Sequence, residues 1–395
     1  MSTRQLTLSS DTTRRRKSRL LGPAGVLSVL AAGAITLTAC SSSSSSSTTP
    51  TTAAVKLSSL ENWPTIPVSV TESGSTLLQP LFTSWANAIH TSWPTVTVQP
   101  GGGGSGQGFT NVASGISNIG GSDPYLSAAQ LAQYPALQNI PLAISAQQVN
   151  YNVPNITPAG THLKLNGKVL SAMYQGTITN WNDSQIAALN PGVHIPSLAI
   201  APIHRGETSG DTFLFTSFLA AADPSGWGTK YPPNTTESWP NVPGSAAATG
   251  NGGMVTTCAA TPGCVAYIGV SYLGQATTAG LAYAELQNKS GNYELPSATA
   301  ISAEAAGFAN STPSSGAISM IYGPATDGYP IVNYEYAIVG KQPDAAHAQA
   351  VKAVLAWAID PKGGNASKYL GQVNFVPLPT QVEQISLKLI AKIAS

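Results

Sequence analysis

The chain has 395 residues, of which 42% are hydrophobic and 9% are charged, and its formal net charge is +1. That length allows a large buried core, which we expect to be divided between two lobes. Residues 1–39 carry six Lys or Arg and one Asp, so the rest of the chain has a net charge of −4, the difference between +1 and +5. This acidic balance excludes a general nucleic-acid binder, and any anionic ligand requires a local pocket.

The N-terminal segment is predicted to be an export signal. A basic stretch at residues 14–19 precedes an apolar stretch at residues 20–37, and Leu-Thr-Ala-Cys ends at Cys40. Eighteen largely apolar residues could also just span a membrane. The small residues before Cys40 and the serines at residues 41–47 favour cleavage instead. Leu-Thr-Ala-Cys resembles a bacterial lipobox, which implies a signal peptide over residues 1–39, cleavage before Cys40 and lipid on its sulfur.

Residues 40–54 are rich in Ser and Thr and show no apolar pattern. This composition predicts a flexible tether with an r.m.s. reach of about 20 Å. We expect the folded part of the chain to begin near Val55.

Two strand–turn units are predicted in the first part of the fold, and a helix is predicted only after the first of them. The first has a strand at residues 67–70, a turn at residues 74–76 and a helix over residues 77–90. The second has a strand at residues 96–98 and a glycine run at residues 101–108. Such turns place free N–H groups where an anion can bind.

The glycine run also matches the dinucleotide-binding pattern G-x-G-x-x-G. The glycines are Gly101, Gly103 and Gly106, and Asp123 lies 17 residues after Gly106. So many glycines match by chance, and export argues against a nicotinamide, so we expect no cofactor. A turn over an anion that uses Ser105 explains the run as well, and a mobile loop is the alternative.

Asp123 lies at the tip of the next expected strand, before a helix predicted at residues 127–134. A carboxylate is a hydrogen-bond acceptor. It can also serve as the N-cap of the following helix.

Residues 204–213, between an expected strand and an expected helix, contain an Arg, a Glu, an Asp, three hydroxyls and two glycines. Arg205 is a forked donor suited to a tetrahedral oxyanion. Thr208 or Ser209 is the predicted N-cap of the helix, and Gly210 allows the backbone to approach a ligand. The alternative is an ordinary capped helix with a surface ion pair.

The other periodic segments alternate between strands and helices, which indicates an α/β class with mixed, mainly parallel sheets. Strands are expected at residues 142–149, 198–203 and 265–270. Helices are expected at residues 173–180, 186–189, 213–219, 345–358 and 382–393. Ligands in such sheets bind at the carboxyl ends of the strands, where the glycine and hydroxyl turns fall.

Cys258 and Cys264 flank Ala-Ala-Thr-Pro-Gly. In an exported chain, this spacing around a Pro-Gly turn predicts a local disulfide. We expect no metal site, because no second Cys or His pair lies nearby at ligand spacing.

Together these motifs resemble the phosphate-binding lipoproteins of bacterial phosphate ABC transporters. The three phosphate loops of that family are similar to residues 74–76, 104–106 and 121–123, and its arginine signature is similar to residues 205–212. Two further stretches typical of the family are similar to residues 174–183 and 262–269. The resemblance runs from about Val68 to the C-terminus. With the tether and the cysteine pair, the chain looks closest to the actinobacterial branch.

The resemblance implies a type II periplasmic-binding-protein fold, in which two crossover strands join two α/β lobes. Lobe one is then residues 55–141 with 332–395, and lobe two is residues 142–331. The crossings lie near residues 141–146 and 329–336. The resemblance also implies a monomer, lipid-anchored outside the cell membrane, that binds inorganic phosphate and delivers it to membrane permease subunits.

The site residues that the resemblance implies are Ser75, Thr76, Leu77, Gly104, Ser105, Asp123, Arg205, Glu207, Ser209, Gly210 and Asp211. Hydroxyls, backbone N–H groups and Arg205 are the expected donors. Two helix N-termini and Arg205 total about +2, which matches a dianion when Glu207 is left out. Glu207 stands where the family has Asp, and Thr208 stands where it has Gly. The second loop has extra glycine, which leaves Ser105 as its hydroxyl.

Asp123 is implied to accept the proton of bound phosphate. Sulfate has no proton at neutral pH, so its oxygen would face the carboxylate without a hydrogen between them, and sulfate is rejected. Asp211 is expected to be either a second acceptor or a charge in the first turn of its helix.

Two other functions fit parts of the sequence. A hydrolase is suggested by Ser209 near His204, but Ser105, Ser122 and Ser209 all lie outside a G-x-S-x-G motif, so we do not expect an enzyme. A surface adhesin would need only the anchor and the tether. An adhesin function does not explain the three phosphate-like loops and the arginine signature.

Overall fold

The computed structural model describes residues 54–395. Its strands are β1 (Val68–Gly74), β2 (Val96–Gln99), β3 (Ile119–Ser122), β4 (Gln138–Tyr151), β5 (Lys164–Leu165), β6 (Ala201–Arg205), β7 (Ala246–Ala248), β8 (Cys264–Gly269), β9 (Ala282–Tyr283), β10 (Glu285–Gln287), β11 (Tyr293–Glu294) and β12 (Val332–Val339). Its helices are α1 (Gln79–Ser92), α2 (Ser105–Ala113), α3 (Ala128–Gln133), α4 (Gly167–Tyr174), α5 (Ser184–Leu189), α6 (Gly210–Ala222), α7 (Gly250–Ala259), α8 (Leu273–Thr278), α9 (Ala298–Ala306), α10 (Ala345–Ile359), α11 (Ser367–Leu370) and α12 (Thr380–Ala391).

Strands β2, β1 and β3 form a parallel group, called the β1 group below. Alternation along β1 turns Val68 and Val70 into the core. Val68 pairs with Val96 on one side, and Glu72 pairs with Ile119 on the other. The carboxyl ends of parallel strands share one edge of a sheet, so the loops after these strands lie together.

Strands β4 and β12 run antiparallel through the middle of the main sheet. Every residue of β4 after Gln138 is buried, and so is every residue of β12. Strand β12 also pairs with β3, while the second half of β4 pairs with β8. The sheet therefore continues in the order β2-β1-β3-β12-β4-β8-β6-β7. The lobe boundaries at residues 55–141, 142–331 and 332–395 stay a prediction.

Strands β8, β6 and β7 form a second parallel group, called the β6 group. Helix α6 packs against β6 and β8 and buries Phe215, Phe218 and Leu219. Ser209, one of the two predicted caps, begins this helix by accepting the N–H of Thr212 on its hydroxyl. A smaller sheet in the order β11-β10-β5 lies apart from the main one.

The mixed α/β class expected from the sequence is confirmed, but the sheet is parallel only within the β1 and β6 groups. The pairs that join the two groups, β3–β12, β12–β4 and β4–β8, are antiparallel. Strands β4 and β12 cross between the groups in opposite directions, which makes the sheet mixed.

The helix expected at residues 173–180 is misplaced, because α4 ends at Tyr174. The side chain of Asn166 starts α4 by accepting the N–H of Val169. Gly176 has a φ of +70°, a left-handed conformation that ends a helix. The apolar periodicity that predicted this helix therefore comes from the helical turns of α4, which end at Tyr174.

The glycine run at residues 101–108 is also not a loop throughout, because α2 begins inside it at Ser105. Gly104 precedes the helix with a φ of +92°. A Cβ at Gly108 would lie 2.7 Å from the carbonyl oxygens of Ser73 and Gly121. The glycines therefore let α2 pack closely against β1 and β3, a need that composition alone does not reveal.

Within residues 54–395, no helix has the length and apolar character needed to cross a membrane. The predicted signal peptide at residues 1–39, the lipidation at Cys40 and nearly all of the tether at residues 40–54 lie outside the described residues.

Reduction of the bond between Cys258 and Cys264 is expected to lower the free energy of unfolding by about 2 kcal/mol, because a short closed loop restricts the unfolded chain. The two sulfurs are bonded, and the Cα atoms lie 5.3 Å apart. Thiol counting on the denatured, unreduced protein should find neither residue free. Two free thiols, or equal stability of the oxidised and reduced protein, would contradict this.

Candidate functional site

The loops after β1, β3 and β6 meet the N-terminal ends of α2, α6 and α7 at one buried cluster. The buried polar side chains in it are Ser75, Thr76, Ser105, Asp123, Arg205, Ser209, Asp211 and Asn251. Members come from both the β1 group and the β6 group. The structure thus brings together segments that are far apart in the sequence.

Asp123 lies where the two groups approach each other. Its carboxylate accepts a hydrogen bond from the hydroxyl of Ser75, and its backbone N–H donates to Ser105 Oγ at 3.2 Å. A Cβ at Gly210 would overlap both Asp123 Oδ2 and Ser105 Oγ. The N-terminus of α6 therefore lies directly against the carboxylate, and only glycine leaves room for that approach.

Asp123 does not cap the next helix, so that alternative is wrong. Ser127 caps α3 by accepting the N–H of Gln130, in a capping box that Gln130 completes. Burial, and then the charge of Asp211, raise the pKa of Asp123 to about 7, against the lowering effect of Ser75. Asp123 therefore faces the α6 terminus as a group that titrates near neutral pH.

The guanidinium of Arg205 donates hydrogen bonds to two carboxylates. Nε and Nη2 donate to Glu207 Oε1, and Nη1 donates to Asp211 Oδ2. Burial alone would lower the pKa of Arg205, but the two carboxylates outweigh it and raise the pKa further. The surface ion pair considered from the sequence is wrong, because Arg205 is only 3% exposed.

Asn251 links the two groups and was not identified from the sequence. Its Nδ2 donates to Thr76 Oγ1 at 3.0 Å and to Asp211 Oδ2 at 2.8 Å, and its Oδ1 accepts the N–H of Gly269 at 2.7 Å. Gln147 Nε2 also donates to Asp211, at 3.1 Å. Two features of the sequence could have indicated these contacts. They are the amide of Asn251, in the first turn of α7, and the amide of Gln147, inside an apolar strand.

Backbone contacts also cross between the groups. The N–H of Gly106 donates to the carbonyl of Thr208 at 3.2 Å, and Ser271 Oγ donates to the carbonyl of Leu77 at 2.7 Å. A Cβ at Gly104 would meet the same Thr208 carbonyl at 2.5 Å. The two groups are therefore in direct contact around the cluster, which is a closed arrangement.

Ser209 and His204 do not form a nucleophile–base pair. Ser209 Oγ caps α6, and its backbone N–H donates to the carbonyl of Thr235 at 2.8 Å. His204 Nδ1 faces the carbonyl of Arg205 at 3.1 Å, and the ring stacks on Trp239. The hydrolase alternative loses its geometric basis.

A second buried carboxyl, Glu335 on β12, lies beside Asp123 and was also missed. Ser145 Oγ donates to Glu335 Oε1 at 2.6 Å, and Asn333 Nδ2 donates to the same oxygen at 3.0 Å. Asn333 Nδ2 also donates to the backbone carbonyl of Asp123 at 3.2 Å. Burial and then the charge of Asp123 raise the pKa of Glu335 well above its usual value.

A cavity of about 880 Å³ adjoins the cluster and reaches Ser105 and Glu207. Three aromatic side chains, Phe109, Tyr125 and Phe213, form part of its wall. Among residues 54–395, no group of three or more His, Cys, Asp or Glu side chains is arranged to hold a metal ion.

Raising the pH from about 4.5 to about 8 is expected to lower the free energy of unfolding through Glu72, which lies beneath the cluster. Burial raises its pKa from 4.5 to about 8. The unfolded chain therefore ionises first, and stability present below pH 4.5 is lost as the pH rises, at up to about 1.4 kcal/mol per unit.

Denaturant unfolding at several pH values checks this expectation. Glu72→Gln should flatten the slope, while Glu285→Gln, at a half-exposed strand position, should leave it unchanged. An unaltered slope in Glu72→Gln would contradict the assignment.

A family model described as a PBP superfamily domain matches residues 42–362 of the chain. The chain is 29% identical over 342 residues to the phosphate-binding protein PstS of Methanocaldococcus jannaschii, covering 82% of this chain and 86% of that protein. It is 29% identical over 368 residues to the phosphate-binding protein PstS 3 of Mycobacterium tuberculosis, covering 90% of this chain and 94% of that protein. The solved structure of a phosphate-binding protein from Stenotrophomonas maltophilia superposes with a TM-score of 0.62 at 22% identity, covering 83% of this chain and 94% of that chain.

Proposed function

This chain belongs to the PBP superfamily, and we propose that it binds inorganic phosphate in the buried cluster around Asp123 and Arg205. The type II periplasmic-binding-protein fold predicted from the sequence is confirmed by the structural likeness. Relatives that cover most of the chain are phosphate-binding proteins, which supports phosphate as the ligand. Binding requires neither a catalytic step nor a cofactor.

The observation that carries this proposal is that two hydroxyls and a helix N-terminus pack around one buried carboxyl. The hydroxyls of Ser75 and Ser105 and the N-terminus of α6 all lie against Asp123. Hydroxyls and the N–H groups of helix termini are suited to the oxygens of an oxyanion. A carboxylate among them is suited to an oxyanion that still carries a proton.

The charge balance of the cluster makes hydrogen bonding the main source of affinity. Arg205 is paired with Glu207 and Asp211, so its charge is already offset. A bound phosphate shares the guanidinium with these carboxylates and relies on the neutral donors around it. Discrimination between oxyanions then follows from where hydrogens lie, more than from net charge.

We further propose that the protein acts at the outer face of the cell membrane, as a monomer held by a lipid on Cys40. Residues 55–141 with 332–395 would form one lobe and residues 142–331 the other, closing around phosphate and delivering it to permease subunits. The lipobox resemblance and the likeness to phosphate-binding proteins support this role.

Intact-mass measurement of the protein from its native membrane should give a chain that begins at Cys40 and carries acyl groups. The lipobox, with small residues before the cysteine, is the physical basis of this expectation. A Cys40→Ser variant is the matched control and should be recovered unlipidated. A native product that retains Met1, or begins elsewhere without lipid, would contradict it.

Thermal unfolding with and without anions tests the proposed ligand. A ligand that binds only the native state stabilises it, by about 2.7 kcal/mol at a concentration 100 times Kd. Phosphate should therefore raise the Tm in a concentration-dependent way, and sulfate at equal ionic strength should not. Equal shifts with both salts would show a general salt effect and would overturn the proposal.

A further inference from the structure

The carboxyl of Glu335 is bonded to neighbours on one oxygen only. Oε1 accepts hydrogen bonds from Ser145 and Asn333, whereas Oε2 is buried with no N–H or hydroxyl partner among residues 54–395. A buried carboxylate oxygen without a donor is costly, and protonation removes that cost. The oxygen that lacks a donor is therefore the one on which a proton is expected.

The carboxyl of Glu335 lies beside Asp123, and burial and then the charge of Asp123 raise the pKa of Glu335. Asn333 ties the two residues together, since its Nδ2 reaches both Glu335 Oε1 and the Asp123 carbonyl. Two adjacent buried carboxyls cannot both ionise, so such a pair holds one proton. The other charged groups facing Asp123 are Arg205 and Asp211.

We propose that Glu335 is a specificity-determining residue, a neutral acid that keeps its proton and donates a hydrogen bond through it to Asp123, and thereby keeps Asp123 ionised as the acceptor for a protonated oxyanion. Glu335 does not touch the ligand in this arrangement, and it acts by positioning the charge of Asp123. The pKa shifts agree with this arrangement, because the pKa of Glu335 is raised well above its usual range while the pKa of Asp123 is raised only to about 7.

The consequence for ligand choice rests on the proposed phosphate function. With the Glu335 proton in place, Asp123 offers only an acceptor at pH 8, which suits hydrogen phosphate and repels sulfate. Without that proton, Asp123 itself becomes protonated and can donate to a sulfate oxygen. Glu335 therefore controls selectivity between two anions of similar size and charge.

Glu335→Leu and Glu335→Gln separate this role from a structural one. In Glu335→Gln, Oε1 can keep its two donors while Nε2 donates to Asp123, so selectivity at pH 8 should match that of the wild type. In Glu335→Leu the donor is lost, and the ratio of sulfate to phosphate Kd should fall by roughly 10- to 100-fold at pH 8. That ratio should recover as the pH is raised further, which a packing defect would not cause.

Glu304→Leu is the matched control, because Glu304 is another buried glutamate, on α9, that lies outside the cluster. It should leave the ratio of sulfate to phosphate Kd unchanged. A ratio unchanged in Glu335→Leu, or altered equally in Glu335→Gln, would overturn the proposal.

Infrared difference spectroscopy at pH 8 tests the proton without any ligand. The wild-type spectrum minus that of Glu335→Gln should contain the carbonyl band of a protonated carboxylic acid, sensitive to D₂O. Its absence would overturn the assignment of the proton. This result does not depend on phosphate binding, so failure of the proposed function and failure of the proton assignment are distinguishable.

Discussion

Arg205→Ala is expected to weaken phosphate binding by roughly 30- to several-thousand-fold, which corresponds to a loss of about 2–5 kcal/mol. The variant removes the cation that both Glu207 and Asp211 contact. Two carboxylates are then left unpaired beside the bound anion, so repulsion adds to the lost donors. Arg205 is also the one arginine after Arg19, so no nearby arginine can replace it.

Calorimetric titration of the variant with phosphate measures this loss. Arg205→Lys keeps the charge without the forked donor, and we expect an affinity between those of the wild type and Arg205→Ala. Lys392→Ala removes an exposed cation and is the control for a change in net charge. An affinity unchanged in Arg205→Ala, with the fold intact by circular dichroism, would place the site elsewhere.

Asp123→Asn is expected to admit sulfate while largely keeping phosphate. The amide oxygen can still accept the hydrogen of phosphate, and the amide N–H can donate to a sulfate oxygen. Removing a contact that rejects sulfate should strengthen sulfate binding by roughly 10- to 150-fold, the range for one hydrogen bond to a charged group. Ser75 and the α6 terminus remain to hold the side chain in place.

The pH dependence of the wild type gives a second result from the same residue. The raised pKa of Asp123, about 7, means that its carboxyl becomes a donor as the pH falls through that value. Discrimination against sulfate should therefore weaken below about pH 7 in the wild type and stay nearly constant in Asp123→Asn. Asp183→Asn, which alters the cap of α5, is the control. Equal exclusion of sulfate by wild type and Asp123→Asn would refute the selectivity argument.

Local patterns predicted much of the fold because the forces that set those elements are local. The apolar spacing of Leu81, Trp85 and Ile89 marks α1, and Ser209 marks the start of α6. The α/β class followed from alternating strands and helices. The opposite directions of β4 and β12 could not be predicted in this way, because long-range pairing depends on partners that the local pattern does not identify.

The missed members of the cluster share one physical reason. Asn251 bonds Thr76 across 175 residues, and Glu335 meets Asp123 from the other end of the chain. Each is a polar residue that is costly to bury without a distant partner. A buried polar residue within an apolar strand, such as Gln147 or Glu335, is the signal that could have indicated a shared site.

Titration calorimetry of the purified protein, first with phosphate and then with sulfate at one pH near 8 and one ionic strength, tests the central claim most directly. The account predicts saturable binding of one phosphate per chain and no sulfate binding at the same concentrations. No phosphate binding, or equal affinity for the two anions, would contradict it.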